Sequence, residues 1–170
     1  MLTKDKLQYA ANRRSFSANS ARSAREAKGR GQATIFLCHS HQDQSLAVGL
    51  AQLLQEAGSN VYIDWLDQAM PETPNRDTAA RIKLKIIEND YFLFLATENS
   101  MRSRWCPWEI GYADGKKPTD SIIVVPVQDG YTNHGQEYLD LYRRIVIADD
   151  GHLAIFEPGR TTNGMYARSL

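Results

Sequence analysis

The chain has 170 residues and a mass of 19.2 kDa, 42% of it hydrophobic and 24% charged, with 20 basic and 20 acidic side chains that cancel at pH 7. That length suits one ordinary globular domain, which hides roughly two thirds of the surface its unfolded chain exposes and needs neither disulfide nor metal to hold a core. A pI near 6.9 excludes a nucleic-acid binder driven by overall charge, no stretch reaches the roughly 18 apolar residues of a membrane span, and Cys38 and Cys106 are too few for a secreted disulfide framework.

The neutral total conceals a split. Residues 1–32 carry Lys4, Lys6, Arg13, Arg14, Arg22, Arg25, Lys28 and Arg30 against Asp5 and Glu26, and the remaining 138 residues carry the matching acidic excess. This opening segment is rich in Ser, Ala and Arg, with Leu7, Tyr9 and Phe16 as its few apolar anchors. Three readings stay open for it: a helical arm docked on the acidic body or on a neighbouring subunit, a disordered basic tail, or a targeting or anionic-surface segment. No apolar signal segment opens the chain, so a cytoplasmic protein is expected.

From Ala33 the pattern becomes regular. Thr34 to Cys38 reads as a strand buried on both faces. A turn follows, with Asp43 placed to cap a helix whose Leu46, Leu50, Leu53, Leu54 and Ala57 fall at helical spacing and whose end is marked by Gly58. Val61 to Asp64 is a second strand, followed by a polar loop with Pro71 and Pro74. Asp77 then caps a helix with Ile82, Ile86 and Ile87 on its inner face and Lys83 and Lys85 outward. Tyr91 to Ala96 is the third strand; a helix opened by Pro107 and ended near Gly115 comes next; Ile122 to Val127 is the fourth strand. A short helix over Tyr138 to Tyr142 and a strand over Ile145 to Ile147 complete five alternations.

Such alternation of apolar strands and helices predicts an α/β fold, a parallel sheet with helices on both faces, whose sites lie at the carboxyl ends of the strands. No GxGxxG follows the first strand and no GxxxxGK[ST] occurs, so phosphate cradling by a glycine-rich turn is excluded. The loops hold His39, Ser40, His41 and Asp43 after strand one, Asp64, Trp65 and Asp67 after strand two, and Ser103, Trp105, Trp108 and Glu109 after strand three. His39, His41 and Asp43 read as hydrogen-bonded cleft structure and not as a metal cluster. Glu109 is the sharpest candidate. In the first helical turn its ionised form is favoured by free N–H groups and the helix dipole, and Trp105 offers an aromatic wall beside it. The plainer reading makes Glu109 a helix-start acid and the tryptophans core aromatics.

Ser103 to Glu109, SRWCPWE, fits SxWCxxE, and so resembles the third box of Toll/interleukin-1 receptor (TIR) domains. Ile35 to Asp43, IFLCHSHQD, is similar to the first box of bacterial members, and Val61 to Asp67, VYIDWLD, with its Pro-containing loop resembles their second strand and BB loop. The chain as a whole looks most like the stand-alone bacterial TIR proteins of anti-phage defence, such as the TIR component of Thoeris-type systems. The resemblance implies a flavodoxin-like five-stranded parallel sheet over residues 33–157, a basic and helical N-terminal arm over 1–32, and a C-terminal tail over 158–170.

It also implies an NAD+ glycohydrolase or cyclase that releases nicotinamide by way of Glu109, with Ser40, Asp64, Trp65, Ser103 and Trp105 binding substrate or ordering the cleft. NAD+ is then substrate, and no cofactor or metal is needed. The product is ADP-ribose, a cyclic isomer or a conjugate, and in such systems it often serves as a messenger for a separate effector. Self-association through the BB loop is implied; nucleic acid and membrane are not. The competing class is a non-catalytic TIR scaffold. A phosphoacceptor receiver fails at its residues, since Thr97 follows the third strand where an Asp is wanted. A nucleoside deoxyribosyltransferase would act on nucleosides without the pyrophosphate.

Overall fold

Runs such as TIFLC, YFLFLA and IIVVPV are too apolar to expose either face, and they stack side by side into one sheet with a helical layer on each side. The computed structural model describes residues 1–13, 24–71, 73, 75–130, 132–134 and 137–170, so Arg14, Phe16, Arg22 and Pro74 lie outside the described residues. In chain order the elements are β1 (Leu2–Thr3), α1 (Lys4–Arg13), α2 (Ala24–Gly29), β2 (Thr34–Cys38), α3 (Gln44–Glu56), β3 (Asn60–Tyr62), α4 (Arg76–Glu88), β4 (Tyr91–Ala96), α5 (Glu98–Arg102), α6 (Cys106–Asp114), β5 (Ile122–Asp129), β6 (Thr132–Asn133), β7 (Arg143–Ile147), β8 (Leu153–Phe156) and β9 (Met165–Tyr166).

The five expected strands pair in parallel in the order β3-β2-β4-β5-β7. The chain leaves β2 toward β3 and returns on its other side as β4, which makes the carboxyl ends of β2 and β4 the topological switch point of the sheet. Beyond the expected set, β8 and β9 extend the sheet antiparallel from β7, β6 pairs antiparallel with β5, and β1 pairs in parallel with β5, Leu2 facing Val127. The β7–β8 turn closes with an Ala148 N–H to His152 carbonyl bond of 2.8 Å. Strands as short as these carry too little alternation to stand out in the sequence.

Side-chain parity divides the core. Ile35, Leu37, Leu93, Leu95, Ile123 and Val125 meet Leu46, Leu50 and Leu54 of α3 on one face. Phe36, Cys38, Phe92, Phe94 and Val124 meet Ile82 and Ile86 of α4 and Cys106, Ile110 and Ala113 of α6 on the other. Cys38 therefore ends β2 on the α4/α6 side.

The basic N-terminal segment is helical in α1 and α2, but it is also anchored. Leu2 and Leu7 are fully buried, and burying a leucine is worth about 1.5–3 kcal/mol. α1 crosses α3 at Gly49, where an added Cβ would lie 1.9 Å from the Leu7 carbonyl oxygen, so only glycine permits the approach. The basic side chains find acids on the body: Lys4 pairs with Asp129, Arg13 with Glu56 at 3.2 Å and Lys28 with Asp90 at 2.8 Å. The change at residue 33 is thus one of composition, while the packing runs through it. At the other end Ala167 is buried and Leu170 packs on the core.

Four local expectations are corrected. Asp43 makes no side-chain cap to α3, because its carboxylate is taken by Thr97 and Asn99. Asn75, not Asp77, caps α4, accepting the Asp77 and Thr78 N–H groups in a capping box with Thr78. Ile87 is 52% exposed, since α4 buries only the Thr78, Ile82 and Ile86 line. The second strand stops at Tyr62, and Asp64 opens a 3-10 turn with Trp65 and Leu66. No helix among the described residues is long and apolar enough to cross a membrane.

Candidate active site

Three loops converge on the switch point, and side-chain hydrogen bonds set the shape of each. After β2, the Ser40 hydroxyl accepts the Gln42 N–H at 3.4 Å and begins a 3-10 turn over His41–Asp43. The Asp43 carboxylate, 3% exposed, accepts the Thr97 hydroxyl at 2.5 Å and the Asn99 amide at 2.7 Å, tying this turn to the one after β4. After β4, Thr97 and Ser100 form a capping box for α5. Ser103 Oγ then accepts the N–H groups of Trp105 and Cys106 at 3.1 and 3.3 Å and fixes the start of α6, where Pro107 occupies the first turn.

The third loop hangs from His39 and Asp67. His39 Nδ1 lies 3.1 Å from the Leu37 carbonyl oxygen, to which it donates, and this leaves Nε2 to accept the Trp65 indole N–H at 2.7 Å. Asp64 Oδ1 accepts the Trp65 backbone N–H at 2.9 Å and stands 3.9 Å from His39 Nε2. Asp67 accepts from Tyr62, from the Ala69 N–H and from Arg81 of α4. Burial works against its charge, but these donors outweigh it and hold the carboxyl below the usual range.

Glu109 lies beneath these loops and is only 5% exposed. Its backbone N–H already bonds the Trp105 carbonyl at 2.8 Å, so the free N–H groups expected to favour its charge are not what governs it. Burial dominates and pushes its carboxyl up to about 8, assisted by the nearby negative charge of Asp64 and opposed by a hydrogen bond from the Cys38 thiol. The groups acting on this acid are a thiol and a second carboxylate, with no cation among them. A desolvated carboxyl of this kind disfavours its own charge until a cation arrives.

Hydrogen bonds join Trp65 to His39 and to Asp64, and Asp64 stands close enough to Glu109 for its charge to act on that acid. Ser40 and Ser103 hold turns. The Trp105 ring packs edge-on against Trp108, centroids 5.5 Å apart, at the head of an aromatic row that continues to Tyr112 and is capped by the Lys83 ammonium. Cys38, which sequence reading did not place near the site, ends β2 with its Sγ 4.0 Å from the Cys106 carbonyl oxygen at the start of α6, and only the parity of β2 could have pointed to it. A groove of about 390 Å³ beside β5, β7 and β8, lined by Val124, Pro126, Tyr142, Arg144, Phe156 and Arg160 among others, contains none of the candidate residues.

Comparison with known proteins points to one family. The family model described as TIR domain matches residues 35–152. A Bacillus cereus (strain MSX-D12) protein named "Probable 3' cyclic ADP-D-ribose synthase ThsB'" is 35% identical over 115 residues, 64% of this chain and 58% of that protein. A Cytobacillus dafuensis protein named "Putative cyclic ADP-D-ribose synthase TIR2" is 26% identical over 82 residues, 46% of this chain and 22% of that protein. The matched region spans less than two thirds of either relative.

Proposed function

The chain belongs to the TIR domain family, and from that premise we propose that it cleaves the bond between nicotinamide and ribose in NAD+, with Glu109 as the catalytic carboxylate. One observation carries this reading: a buried carboxyl at the switch point of the sheet, with Asp64 near it and no cation paired with it among the described residues.

The chemistry follows from the charge balance. The glycosidic C–N bond of NAD+ breaks with its electron pair passing to the ring nitrogen, so nicotinamide leaves neutral and no general acid is needed. Positive charge gathers on the ribose as an oxocarbenium-like centre, and a carboxylate poised beside it stabilises that charge most where water is excluded. The cationic nicotinamide ring favours the ionised form of Glu109, whose proton passes to solvent, because a positive charge nearby lowers the pKa of an acid. In this scheme Asp64 and Trp65 line the ribose side, Trp105 walls the nicotinamide side, and Ser40 and Ser103 keep the turns in place. The low exposure of Glu109 means that substrate reaches it only when the covering side chains shift.

The cation is then captured by a nucleophile. Water gives ADP-ribose; a hydroxyl or adenine nitrogen of the same molecule gives a cyclic isomer, the outcome suggested by the names of the relatives. The proposal includes a cytoplasmic setting, a role in anti-phage defence with the product as messenger to an effector, and self-association through the BB loop after β3. No cofactor or metal takes part in it.

The test is to incubate the purified protein with NAD+ and separate products by chromatography with mass detection, running Glu109→Ala in parallel. Nicotinamide release that disappears in the variant supports the enzyme, and the mass of the companion product identifies the acceptor. No release at any protein concentration would move the reading to an assembly module.

A further inference from the structure

The loop after β3 is tied to the body by contacts of two kinds. Asp67 fixes it to α4, accepting the Tyr62 hydroxyl at 2.8 Å and the Arg81 guanidinium at 3.1 and 3.3 Å. Trp65 fixes it to the end of β2, its indole N–H donating a neutral hydrogen bond to His39 Nε2 at 2.7 Å. The His39 side chain is 2% exposed, and its other ring nitrogen is spent on the Leu37 carbonyl at 3.1 Å, so the imidazole is held in orientation by the strand it follows. The Trp65 ring packs on the α3-side core, and its backbone N–H donates to Asp64 Oδ1 at 2.9 Å. His39 takes no part in the chemistry above, yet it holds two of the residues assigned to the ribose.

We infer that His39 is a positioning residue: through the indole N–H it fixes the rotation of Trp65, and through the Trp65 backbone the place of the Asp64 carboxylate, on the side of the cleft that receives the ribose. Apolar packing has no direction of its own and would let the ring turn; the hydrogen bond supplies the direction. A neutral imidazole suits the task because it donates through one nitrogen and accepts through the other. A lysine or arginine in its place would draw Asp64, whose Oδ1 stands 3.9 Å from Nε2, into an ion pair and repel a cationic nicotinamide ring. An aliphatic side chain would leave the indole N–H without its acceptor.

The consequence is a split in the kinetics. Trp65 and Asp64 meet the ribose before and during the reaction, so their disorder weakens binding, while the chemical step stays with Glu109 on α6. A Trp65 ring released from His39 has to be ordered again each time substrate binds, a cost of about 3- to 10-fold in KM for one large side chain.

The inference rests on the reading of this cleft as an NAD+ site, and its test separates the two. His39→Asn keeps a donor for the Leu37 carbonyl and reaches no further; His39→Gln carries an amide oxygen out to the indole; Trp65→Phe removes the indole N–H and keeps a ring. Indole N–H resonances are followed by ¹H–¹⁵N NMR without substrate, that of Trp65 being the one absent in Trp65→Phe, and KM and kcat are measured from nicotinamide release. The expected result is a Trp65 resonance that moves in His39→Asn and is restored in His39→Gln. With it KM rises about 3- to 10-fold in His39→Asn, kcat stays within about twofold, glutamine rescues, and the double variant His39→Asn/Trp65→Phe is no worse than the worse single one. An unmoved resonance, an unchanged KM, an equal fall of kcat in all variants, or additive losses in the double variant overturns the inference. A wild-type protein that releases no nicotinamide, but whose NAD+ dissociation constant weakens by the same factor in His39→Asn and recovers in His39→Gln, overturns the catalytic reading of Glu109 and supports the positioning role of His39.

Discussion

Two carboxyl groups stand at opposite ends of β2 and have opposite surroundings. At the amino end, Asp90 accepts the Thr34 N–H at 3.0 Å and the Thr34 hydroxyl at 2.7 Å, and pairs with Lys28 at 2.8 Å. Burial opposes its charge, but Lys28 and Thr34 prevail and hold its pKa below the usual range. At the carboxyl end, Glu109 meets a thiol and another acid, and burial drives its pKa to about 8. The first acid is fully partnered within the fold and serves to join β2, β4 and α2. The second has no cation partner among the described residues and stands at the place where α/β sheets bind ligands, which in the proposed reading leaves it for a partner that comes from outside.

The sharpest way to break this contrast is to neutralise each acid. Glu109→Gln should lower NAD+ turnover by at least about 100-fold, measured as nicotinamide release, because it removes the one charge placed to stabilise the transition state. Asp90→Ala should leave turnover within a few-fold of wild type and cost about 1–3 kcal/mol of stability in urea titration, since it strands the buried Thr34 groups. A large catalytic loss in Asp90→Ala would erase the division between a structural and a functional acid.

The pH dependence of stability should run in opposite directions for the two. Glu109 has a folded pKa raised to about 8 from an ordinary 4.5, so its contribution is full below the ordinary value and is lost as pH rises toward 8. Melting temperature in the wild type should therefore fall over that window, and Glu109→Gln should flatten the fall. Asp90, with its pKa depressed, contributes above the ordinary carboxyl value and loses that contribution only as pH drops below it. The kcat/KM profile of the wild type should rise toward pH 8 as Glu109 ionises. Asp64→Asn should move that rise to lower pH, because it removes the negative charge that holds the proton on, whatever it does to the plateau.

The sequence revealed the positions of these acids unevenly. Glu109 was legible because Pro107 fixes the start of α6 and the SxWCxxE spacing carries a family resemblance, and the five parallel strands were legible as unbroken apolar runs. Its raised pKa was not, because a first-turn acid at an exposed helix start would be stabilised in its ionised form, and only the tertiary roof reverses the sign. The approach of Cys38 to the start of α6 joins residues 68 positions apart and depends on Cys38 sharing a face with Phe36, which one step of register would undo. Asn75 caps α4 where Asp77 was expected, because both residue types cap helices and the choice lies in backbone geometry. Leu7 was legible as an apolar anchor but Leu2 was not, since a leucine within a polar, basic stretch does not show as part of an apolar face until the body offers a place to receive it.

The smallest effect belongs to the ion pair at the amino end, and it refines what partnered means. Lys28 and Asp90 are 42% and 38% exposed in their side chains, so water and salt screen their attraction. Lys28→Ala should cost less than about 1 kcal/mol, and adding salt should shrink the difference further. The Thr34 hydroxyl is wholly buried; it donates to Asp90 and accepts the Asp90 N–H at 2.9 Å, so Thr34→Val, nearly the same in shape, should cost more, about 1–3 kcal/mol, with little salt dependence. If the order reverses, charge and not hydrogen bonding holds Asp90 ionised. The absence of a cation would then be the whole difference between the two acids, and a lysine brought near Glu109 should suffice to convert it into a structural one.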